Sequence, residues 1–588
     1  MSDTAQAYPK QRRTGAARFL PLLGWLPEYN GRYLRHDLIA GLTVAVMLVP
    51  QSMAYAALAG MPPVTGLYAA VVPLLVYAMF GTSGSLAVGP VAITALMTSA
   101  ALAPLAGGDP GRYAALAGLL ALLVGAIQLA MGVLRLGAVV NFMSHSVLAG
   151  FTSAAAIIIA ASQVKDLLGL DAERAEGFPE IVSSVWHAAG TAHGLTVVIS
   201  VVSIAGLVLL KRFWPKLPGA LLVVAGVTAA SAMLSFGDRG VSILTDVPSG
   251  LPMPALPTLS AQDVTALLPA ALAIALVAYM EGIAVAKALA AKSKQQVNPD
   301  TELVAVGAAN VSAGMFAAFP VAGGFSRSAV NFSAGARTPF ATVVTALVVA
   351  LTALLLTPAF YHLPKAVLGA IIVVAVVGLI DVKSAAGAWR TRRVDGIALG
   401  ITFVVTLLAG VEPGLAAGVA FSLAVFLWRS SRPHQAELGR VPGTDTFRNV
   451  ARYSGLTTDP HIAVVRVDGP FYFASAQQVE DSLTGLVEER PELHTLVLDA
   501  SAVNDADADG AHALAELRER LGDRGITLRL ATVRGPVRDL LTRAGVWQSL
   551  REANQVHPDV AAAVSAAGGF GRSSGSGTRS PSPTQEVF

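Results

Sequence analysis

Two charged residues, Glu281 and Arg327, lie well inside apolar stretches of the chain, in ALVAYMEGIAVAKALA and AGGFSRSAVNFSAGA. Placing a charge at the centre of a bilayer costs about 3 kcal/mol even on lenient scales, so such residues usually have a function. The carboxylate suits a coupling cation or an exchangeable proton, and the arginine suits an anion. The structural alternatives are an ion pair between the two, a hydrogen-bonded carboxylic acid between helices, or an arginine that extends to the interface.

A second candidate feature is the start of two short segments that glycine and proline interrupt. In SLAVGPVAITALMTS, Gly89 and Pro90 mark such a break, and in the second segment Ser326 and Ser328 flank Arg327. Proline suits a first helical turn, and glycine lets backbone approach a ligand. Helix N-termini carry unpaired N–H groups and a partial positive charge. Two such starts facing each other would therefore bind an anion.

Polar residues in MLVPQSMAYAALAG are further candidates. Gln51, Ser52 and Tyr55 are expected either to line the same cavity or to bridge packed helices. Pro50 within this span removes a backbone hydrogen bond, which predicts a local break in the helix.

The composition indicates a membrane protein with a water-facing domain. The chain has 588 residues, of which 54% are hydrophobic and 13% charged, whereas soluble domains carry about 25% charged residues. The deficit is confined to residues 37–428, and the charge density is ordinary from Arg440 onward. The first 36 residues lack a signal-peptide pattern, so the first span is expected to direct insertion.

Several function classes are disfavoured. A net charge of +3 is too small to indicate a nucleic-acid partner, and the absence of cysteine excludes disulfides and thiolate sites. The histidines His145, His187, His193 and His362 show no metal-ligand spacing, so no metal or other cofactor is expected. No nucleophile elbow, phosphate-binding loop or HExxH motif is present, and the sequence does not predict an enzyme.

Apolar runs of the roughly 20 residues that a bilayer requires predict about fourteen spans. The predicted spans are Ile39–Leu58, Val64–Phe80, Ala87–Leu102, Ala114–Leu134, Val147–Leu167, Leu195–Leu210, Leu217–Leu234, Leu267–Leu289, Leu303–Phe319, Phe325–Ala336, Ala341–Leu356, Ala366–Ile380, Gly396–Ala409 and Leu415–Leu427.

Loop charges support an even number of spans. Loops on the starting side carry basic residues such as Arg212, Lys292 and Arg393, whereas opposite loops carry Asp109 and Asp171. Because cytoplasmic loops are enriched in Lys and Arg, both termini are expected in the cytoplasm. The two interrupted segments are each third in a half of seven spans, and paired segments of this kind are the sequence signal of a transporter's substrate site. Because seven is odd, the two halves are expected to have opposite topology.

The C-terminal part predicts a small α/β domain. IAVVRVDGPFYFA predicts strands or a hairpin, followed by helix 476–489, strand LHTLVLDAS, helix 508–521, strand ITLRLATV and helix 536–544. The predicted organisation is listed in chain order: an N-terminal cytoplasmic segment at 1–36, a transmembrane domain at 37–432, a linker at 433–460, the α/β domain at 461–565 and a Gly/Ser/Pro-rich disordered tail at 566–588.

Four separated motifs stand out: NPDTELVAVGAANVSAGMFAAFPVAGGFSRSAVNFSAGARTPFA, AGLTVAVMLVPQSMAYAALAGMPPVTGLYAA, GTSGSLAVGPVAITALMTS and SHSVLAGFTSAAAIIIAASQVKDLLG. Together they resemble the sulfate permease (SulP) family of inorganic anion transporters. The resemblance extends from Leu34 to Val564, and the motifs occur in the family's order.

The resemblance implies an α-helical polytopic membrane protein of fourteen spans in a seven-plus-seven inverted repeat, with core and gate domains that move in an elevator-like cycle. It implies an anion site between Val88, Gly89, Pro90 and Val91 of the third span and Ser326–Ser328 of the tenth. Gln51, Tyr55 and Glu281 match positions that line this site. An acidic residue at the Glu281 position implies proton-coupled symport, as against sodium coupling or exchange.

The same resemblance implies a C-terminal STAS domain, a homodimer, a regulatory partner in the cytoplasm and a place in the cell (inner) membrane. One motif departs from the STAS pattern, because the loop that normally reads Asp-x-Ser/Thr-Gly has Asp507, Ala508, Asp509 and Gly510. A carboxylate thus replaces the phosphoacceptor hydroxyl, so phosphorylation there is not expected. Asp509 either supplies a permanent negative charge or caps the following helix.

The leading hypothesis is a secondary active transporter of a small oxyanion, sulfate being favoured, with a proton taken by Glu281. A bicarbonate, chloride or dicarboxylate carrier on the same fold is the alternative within transport. A nucleobase carrier is disfavoured because such carriers lack the FSRSAVN stretch and the STAS domain. An anion-sensing receptor that signals through the C-terminal domain is the alternative from another class.

Overall fold

The computed structural model describes residues 20–137, 144–172, 177–214, 217–244, 247–257, 260–293 and 297–569. Most of the predicted N-terminal segment, and the tail from residue 570 onward, lie outside these ranges.

The first half of the membrane-spanning part contains helices and one very short strand. In chain order these are α1 (Leu22–Trp25), α2 (Gly31–Leu58), α3 (Pro63–Tyr68), α4 (Val72–Phe80), β1 (Val88–Gly89), α5 (Ala92–Ala106), α6 (Pro110–Val133), α7 (His145–Ser162), α8 (Val164–Leu168), α9 (Phe178–Ala188), α10 (Gly194–Phe213) and α11 (Gly219–Leu234).

The second half repeats the pattern, with a short strand again before a short helix. Its elements are α12 (Ala261–Ser293), α13 (Pro299–Met315), β2 (Ala322–Gly323), α14 (Phe325–Ser333), α15 (Phe340–Leu355), α16 (Lys365–Val376), α17 (Val382–Thr391), α18 (Arg393–Ala409) and α19 (Val411–Ser430).

These helices confirm the predicted polytopic fold. Within the described ranges, 8 helical stretches are long and apolar enough to cross a membrane, and three shorter apolar helices accompany them. Helices α13, α14 and α18 supply the remaining predicted spans. Valines on one face of α10, including Val198, Val201 and Val202, are exposed, as expected for side chains that contact lipid.

Besides α1, two short helices of the described membrane-spanning part lie outside the predicted spans. Helix α9 precedes α10 in the first half, and α17 precedes α18 in the second. Each has apolar residues on one side and polar residues on the other, and large side chains such as Trp186 and Trp389 are exposed. Their matching positions add a further feature to the repeat, which the span pattern missed because these helices are short and amphipathic.

Helices α6 and α13 pack unusually closely because glycines face each other. A Cβ added at Gly125 would lie 2.6 Å from the Val311 nitrogen, and one at Gly314 would lie 2.5 Å from the Gly118 oxygen. Small residues of this kind allow the backbones of membrane helices to approach. The close approach brings the polar side chains of the same two helices within hydrogen-bonding distance.

The break predicted at Pro50 does not occur. Helix α2 continues through Pro50 as one helix of 28 residues. Proline removes one backbone donor, but packing on both sides holds the helix in place, since Leu48, Val49 and Met53 are buried.

The C-terminal elements form a mixed six-stranded sheet with helices on both faces. They are β3 (His434–Arg440), β4 (Phe447–Asn449), β5 (Ile462–Asp468), α20 (Phe473–Glu488), β6 (Thr495–Asp499), α21 (Ala508–Asp523), β7 (Thr527–Ala531), α22 (Gly535–Arg543), α23 (Val546–Glu552), β8 (Val556–His557) and α24 (Val560–Ala566).

The strand order is β4-β3-β5-β6-β7-β8. Strands β5 to β8 are parallel, and β3 is antiparallel to both β4 and β5. One core packs α20 and α21 on the sheet, and a smaller one packs Val560 and Val564 of α24 on the opposite face. Every residue of β6 is buried, as expected for a parallel strand covered on both faces.

Two details differ from the sequence expectation. The segment 433–460, predicted as a linker, contains β3 and β4, which pair with the sheet. In IAVVRVDGPFYFA only β5 is a strand, because Gly469 and Pro470 end it and Tyr472 with Ser475 forms a capping box that starts α20. The chain divides into two compact units, Met1–Ser422 and Leu423–Phe588, with the boundary inside α19.

Candidate functional site

The two interrupted segments meet through a short antiparallel pairing. Val88 pairs with Gly323 and Gly89 with Ala322, and the Gly324 N–H donates to the Ala87 oxygen at 3.0 Å. Helices α5 and α14 begin shortly after these strands, and within the described part of the chain neither start has a side-chain cap. The pairing therefore brings two uncapped helix N-termini together, an arrangement suited to an anion.

Glycine is required at two positions of this junction. Gly89 has a φ of +151°, a conformation almost confined to glycine. A Cβ on Gly323 would lie 2.8 Å from the Cα of Gly282 on α12. The second glycine therefore allows α12, which carries Glu281, to contact β2 directly.

Arg327 extends from α14 to the break in the other half. Its side chain is buried, at 3% exposure, and Nη1 donates to the Pro90 oxygen at 2.7 Å. Nε and Nη2 are buried and have no hydrogen-bond partner among the described residues. Because a buried guanidinium with unused donors is unfavourable, these two nitrogens suit an anion that would accept from them.

The two serines beside Arg327 have different roles in the structure. The Ser328 hydroxyl accepts from the Ala87 N–H at 2.9 Å and donates to the Gly324 oxygen at 2.7 Å, so it holds the two segments together. Ser326 and its neighbour Phe325 are exposed. The start of α14 is therefore open on this side, and the Ser326 hydroxyl is accessible to a ligand.

Tyr55 and Gln51 lie on α2 with little exposure, 6% and 9%. Tyr55 is within electrostatic range of both Arg327 and Glu281. The structure thus groups Tyr55, Glu281 and Arg327, which come from three different helices, and places Gln51 one turn from Tyr55 on α2.

Glu281 lies on α12 beside the strand pairing. Ala278, one turn earlier, packs with Val91 and Ala322. Glu281 interacts electrostatically with Arg327, yet the two side chains form no ion pair within the described part of the chain. Its Oε2 atom is buried without a hydrogen-bond partner there. The carboxylate is therefore close to the cation but not neutralised by a direct bond.

Sequence reasoning missed two buried amides that position the second segment. Asn310 on α13 bonds both backbone groups of Val321: its Oδ1 accepts from the Val321 N–H at 2.8 Å, and its Nδ2 donates to the Val321 oxygen at 3.0 Å. Gln128 on α6 accepts from the Asn310 Nδ2 at 2.9 Å and donates to the Ala275 oxygen at 3.1 Å. Asparagine and glutamine inside a span are the only sequence signals, and they do not reveal their partners.

Glu302 holds the loop before β1. It lies in the first turn of α13. It accepts from the Tyr77 hydroxyl at 2.9 Å, from the N–H groups of Thr82 and Ser83 at 2.8 and 3.0 Å, and from the Thr82 hydroxyl. The carboxylate thus replaces the backbone partners that this loop lacks.

Asp37 on α2 does the same for the loop after α14. It accepts from the N–H groups of Arg337 and Thr338 at 2.7 and 3.1 Å and from the Thr338 hydroxyl at 2.6 Å. The two loops touch, since a Cβ on Gly84 would lie 2.9 Å from the Arg337 oxygen. Buried carboxylates therefore fix the ends of both site segments.

In the C-terminal domain Asp507, rather than Asp509, caps α21. The Asp507 Oδ1 accepts from the Gly510 N–H at 2.8 Å, and Oδ2 accepts from the Phe473 N–H at 3.0 Å. Asp509 is exposed in the first turn of the helix. The capping alternative for Asp509 is therefore wrong, and its carboxylate is free to act as a surface charge.

Paired helix starts around a buried arginine, within a bundle of apolar helices, define a membrane transport protein with an appended α/β domain. Family models agree with this class. The Sulfate permease family model matches residues 34–402, and the STAS domain model matches residues 453–563. The chain belongs to the sulfate permease family, whose members are transporters rather than enzymes.

Relatives of known name cover nearly the whole chain. It is 37% identical over 548 residues to sulfate transporter 4.1, chloroplastic, of Arabidopsis thaliana, covering 90% of this chain and 79% of that protein. It is 37% identical over 536 residues to the probable sulfate transporter Rv1739c of Mycobacterium tuberculosis, covering 90% and 96%.

Solved structures show the same fold. The murine anion transporter Slc26a9 in the inward-facing state aligns with a TM-score of 0.89 at 26% identity, covering 97% of this chain and 99% of that chain. The transmembrane domain of the cyanobacterial bicarbonate transporter BicA aligns with a TM-score of 0.59 at 25% identity, covering 66% and 98%. These findings confirm the predicted family and fold.

Proposed function

We propose that the protein is a secondary active transporter that carries a small inorganic oxyanion, sulfate by preference, across the membrane. The observation that carries the proposal is the position of Arg327. Its side chain is buried where the starts of α5 and α14 meet, and two of its nitrogens have no hydrogen-bond partner among the described residues. An anion at this junction would accept from the guanidinium and from backbone N–H groups at once. The names of the plant and mycobacterial relatives support sulfate as the substrate.

The same geometry supports proton coupling through Glu281. An ionised Glu281 attracts Arg327 and competes with the anion for it, since the two side chains interact electrostatically. A proton on Glu281 removes that competition, so anion and proton bind together. Sodium coupling and anion exchange are the alternatives to this symport.

The pairing of β1 with β2 joins the two halves of the site into one body, which supports an elevator-like movement. The loop charges support cytoplasmic termini and a position in the cell membrane. In this proposal the protein works as a homodimer, and its STAS domain binds a regulatory partner in the cytoplasm.

Uptake of labelled sulfate into proteoliposomes tests the proposal. We expect accumulation that an inward acid gradient stimulates, and loss of that stimulation in Glu281→Gln. Glu489→Gln, which removes an exposed carboxylate from the C-terminal domain, is the matched control and should behave as wild type. Uptake that ignores the gradient, or an unchanged gradient response in Glu281→Gln, would refute the coupling.

A bicarbonate or chloride carrier is the second candidate, and the structural likeness to the bicarbonate transporter BicA favours bicarbonate within it. Competition separates the two. If unlabelled sulfate suppresses labelled uptake at much lower concentration than bicarbonate, chloride or a dicarboxylate, sulfate is the substrate. If bicarbonate or chloride competes better, the preference for sulfate is wrong although the transporter class stands.

A further inference from the structure

We propose that Asn310 and Gln128 are positioning residues of the anion site, which fix the distance between Arg327 and Glu281. The inference rests on the proposed function, because it concerns how that site is held rather than what it binds. It is carried by a continuous chain of hydrogen bonds that links the backbone before β2 to the backbone of α12.

The first link is a pair of hydrogen bonds between the Asn310 side chain and the Val321 backbone. The Asn310 Oδ1 accepts from the Val321 N–H at 2.8 Å, and the Asn310 Nδ2 donates to the Val321 oxygen at 3.0 Å. Asn310 thereby replaces the neighbouring strand that Val321 lacks, since β2 itself contains only Ala322 and Gly323. A pairing of this length is unstable alone, so the position of β2 depends on the amide.

The second link is Gln128. Its Nε2 donates to Ala275 on α12 at 3.1 Å, and its Oε1 accepts from Asn310 at 2.9 Å. Both amides are fully buried. The donor and acceptor roles also fix the orientation of each amide, because a flipped Asn310 would place its NH₂ group against the Val321 N–H.

Each end of this hydrogen-bonded chain lies the same number of residues before one of the two charged residues. Val321 precedes Arg327 by six positions, and Ala275 precedes Glu281 by six. Ala275 and Glu281 lie on one continuous helix, so a fixed Ala275 fixes the helix beside Glu281. The amides therefore determine where the anion-binding arginine stands relative to the carboxylate.

A general role in holding helices together does not explain these contacts. Helices α6 and α13 already pack closely through Gly125, Gly307 and Gly314. Three of the amide bonds also leave the α6–α13 interface and reach backbone atoms of Val321 and Ala275. The contacts are directed at the segments that carry the site.

The test compares Asn310→Ala and Gln128→Met with a matched control, Ser312→Ala. Ser312 is buried on the same helix as Asn310, and its hydroxyl donates to the Ala309 oxygen of that helix at 2.7 Å. Labelled sulfate uptake is measured against sulfate concentration and external pH, together with thermal stability of the purified full chain. Rates are expressed per folded molecule.

We expect Asn310→Ala to raise the KM for sulfate about tenfold, because displacement of about 1 Å in a binding site commonly costs that much or more. Gln128→Met should raise KM less but shift the pH dependence of uptake, since it frees α12. The double variant should be less impaired than the product of the single effects, because the two residues act in one chain. Ser312→Ala should keep the wild-type KM and pH profile.

The inference is overturned if both variants keep the wild-type KM and pH profile and lose only thermal stability or yield. If Asn310→Ala does not fold, Asn310→Asp decides: it keeps the acceptor for the Val321 N–H and loses the donors, so an unchanged KM there also overturns the inference. Failure of the proposed function is distinguishable, because wild-type protein would then show no sulfate uptake at all.

Discussion

The two helix starts at the centre of the membrane-spanning part occupy matching places in the repeat but contribute different chemistry. The start of α5 offers only backbone and small apolar side chains, from Val88 to Val91, all of them buried. The start of α14 offers Arg327, Ser326 and Ser328, and part of it is exposed. A single arginine reaches across and donates to Pro90 of the other half.

If the junction binds an anion as proposed, a single charge serves both halves of the inverted repeat. A second cation across the junction would repel the first, since like charges a few ångströms apart interact strongly in a poorly hydrated site. The first half instead anchors the arginine with a carbonyl and adds its own helix start. One half therefore supplies the charge, and the other supplies the frame that holds it.

The largest expected effect comes from replacing that charge. Arg327→Ala should abolish sulfate uptake. Arg327→Lys should lower the ratio of the maximal uptake rate to KM by more than about 100-fold. Lysine keeps the charge but cannot bond Pro90 while offering two further planar donors. Initial uptake rates in proteoliposomes measure this, with the exposed Arg390 changed to Ala as the control. Near-normal uptake by Arg327→Lys would mean that charge alone matters and that the frame is unnecessary.

The frame of the first half depends on Glu302. Glu302→Ala should lower the free energy of unfolding by about 3 kcal/mol, because buried N–H groups that lose their acceptor cost about 1–3 kcal/mol each. Thermal unfolding of the purified protein measures the loss, and the folded fraction should keep a wild-type KM for sulfate. Glu302→Gln, which retains one acceptor oxygen, should lose less. A raised KM without lost stability would show instead that the loop before β1 affects sulfate binding directly.

Gly89 tests whether the first half contributes through its backbone. Gly89→Ala should raise KM for sulfate about tenfold, since a φ of +151° costs a non-glycine residue about 1–3 kcal/mol. A Cβ there meets nothing closer than 3.5 Å, so the effect would come from conformation rather than collision. Concentration-dependent uptake measures it, and Gly400→Ala on α18, where a Cβ has open space, serves as control. An unchanged KM would show that the backbone at Gly89 does not contribute to sulfate binding.

The sequence was informative wherever a residue type is unfavourable in the segment that contains it. Glu281 and Arg327 stand out because a charge in an apolar run is unfavourable, and Gly89 with Pro90 stand out because they interrupt a helix. The motifs around them also resembled a family that the comparisons confirm. The linker prediction at 433–460 failed in part because the apolar residues of β3, Ala436 and Leu438, stand among polar ones such as His434. Strand β4, at the edge of the sheet, has only three residues, among them Arg448.

By itself, therefore, the sequence determined the membrane class and the polytopic helical fold, and it singled out Glu281 and Arg327 as candidates for the site, because these follow from local composition and spacing. Only the tertiary structure decided how they meet. Arg327 bonds Pro90 across 237 positions, and Asn310 bonds Gln128 across 182. Contacts between residues so far apart in the sequence depend on close helix packing around glycines and on two-residue strands too short to show a period. The local sequence around Arg327 or Asn310 therefore does not identify its partner.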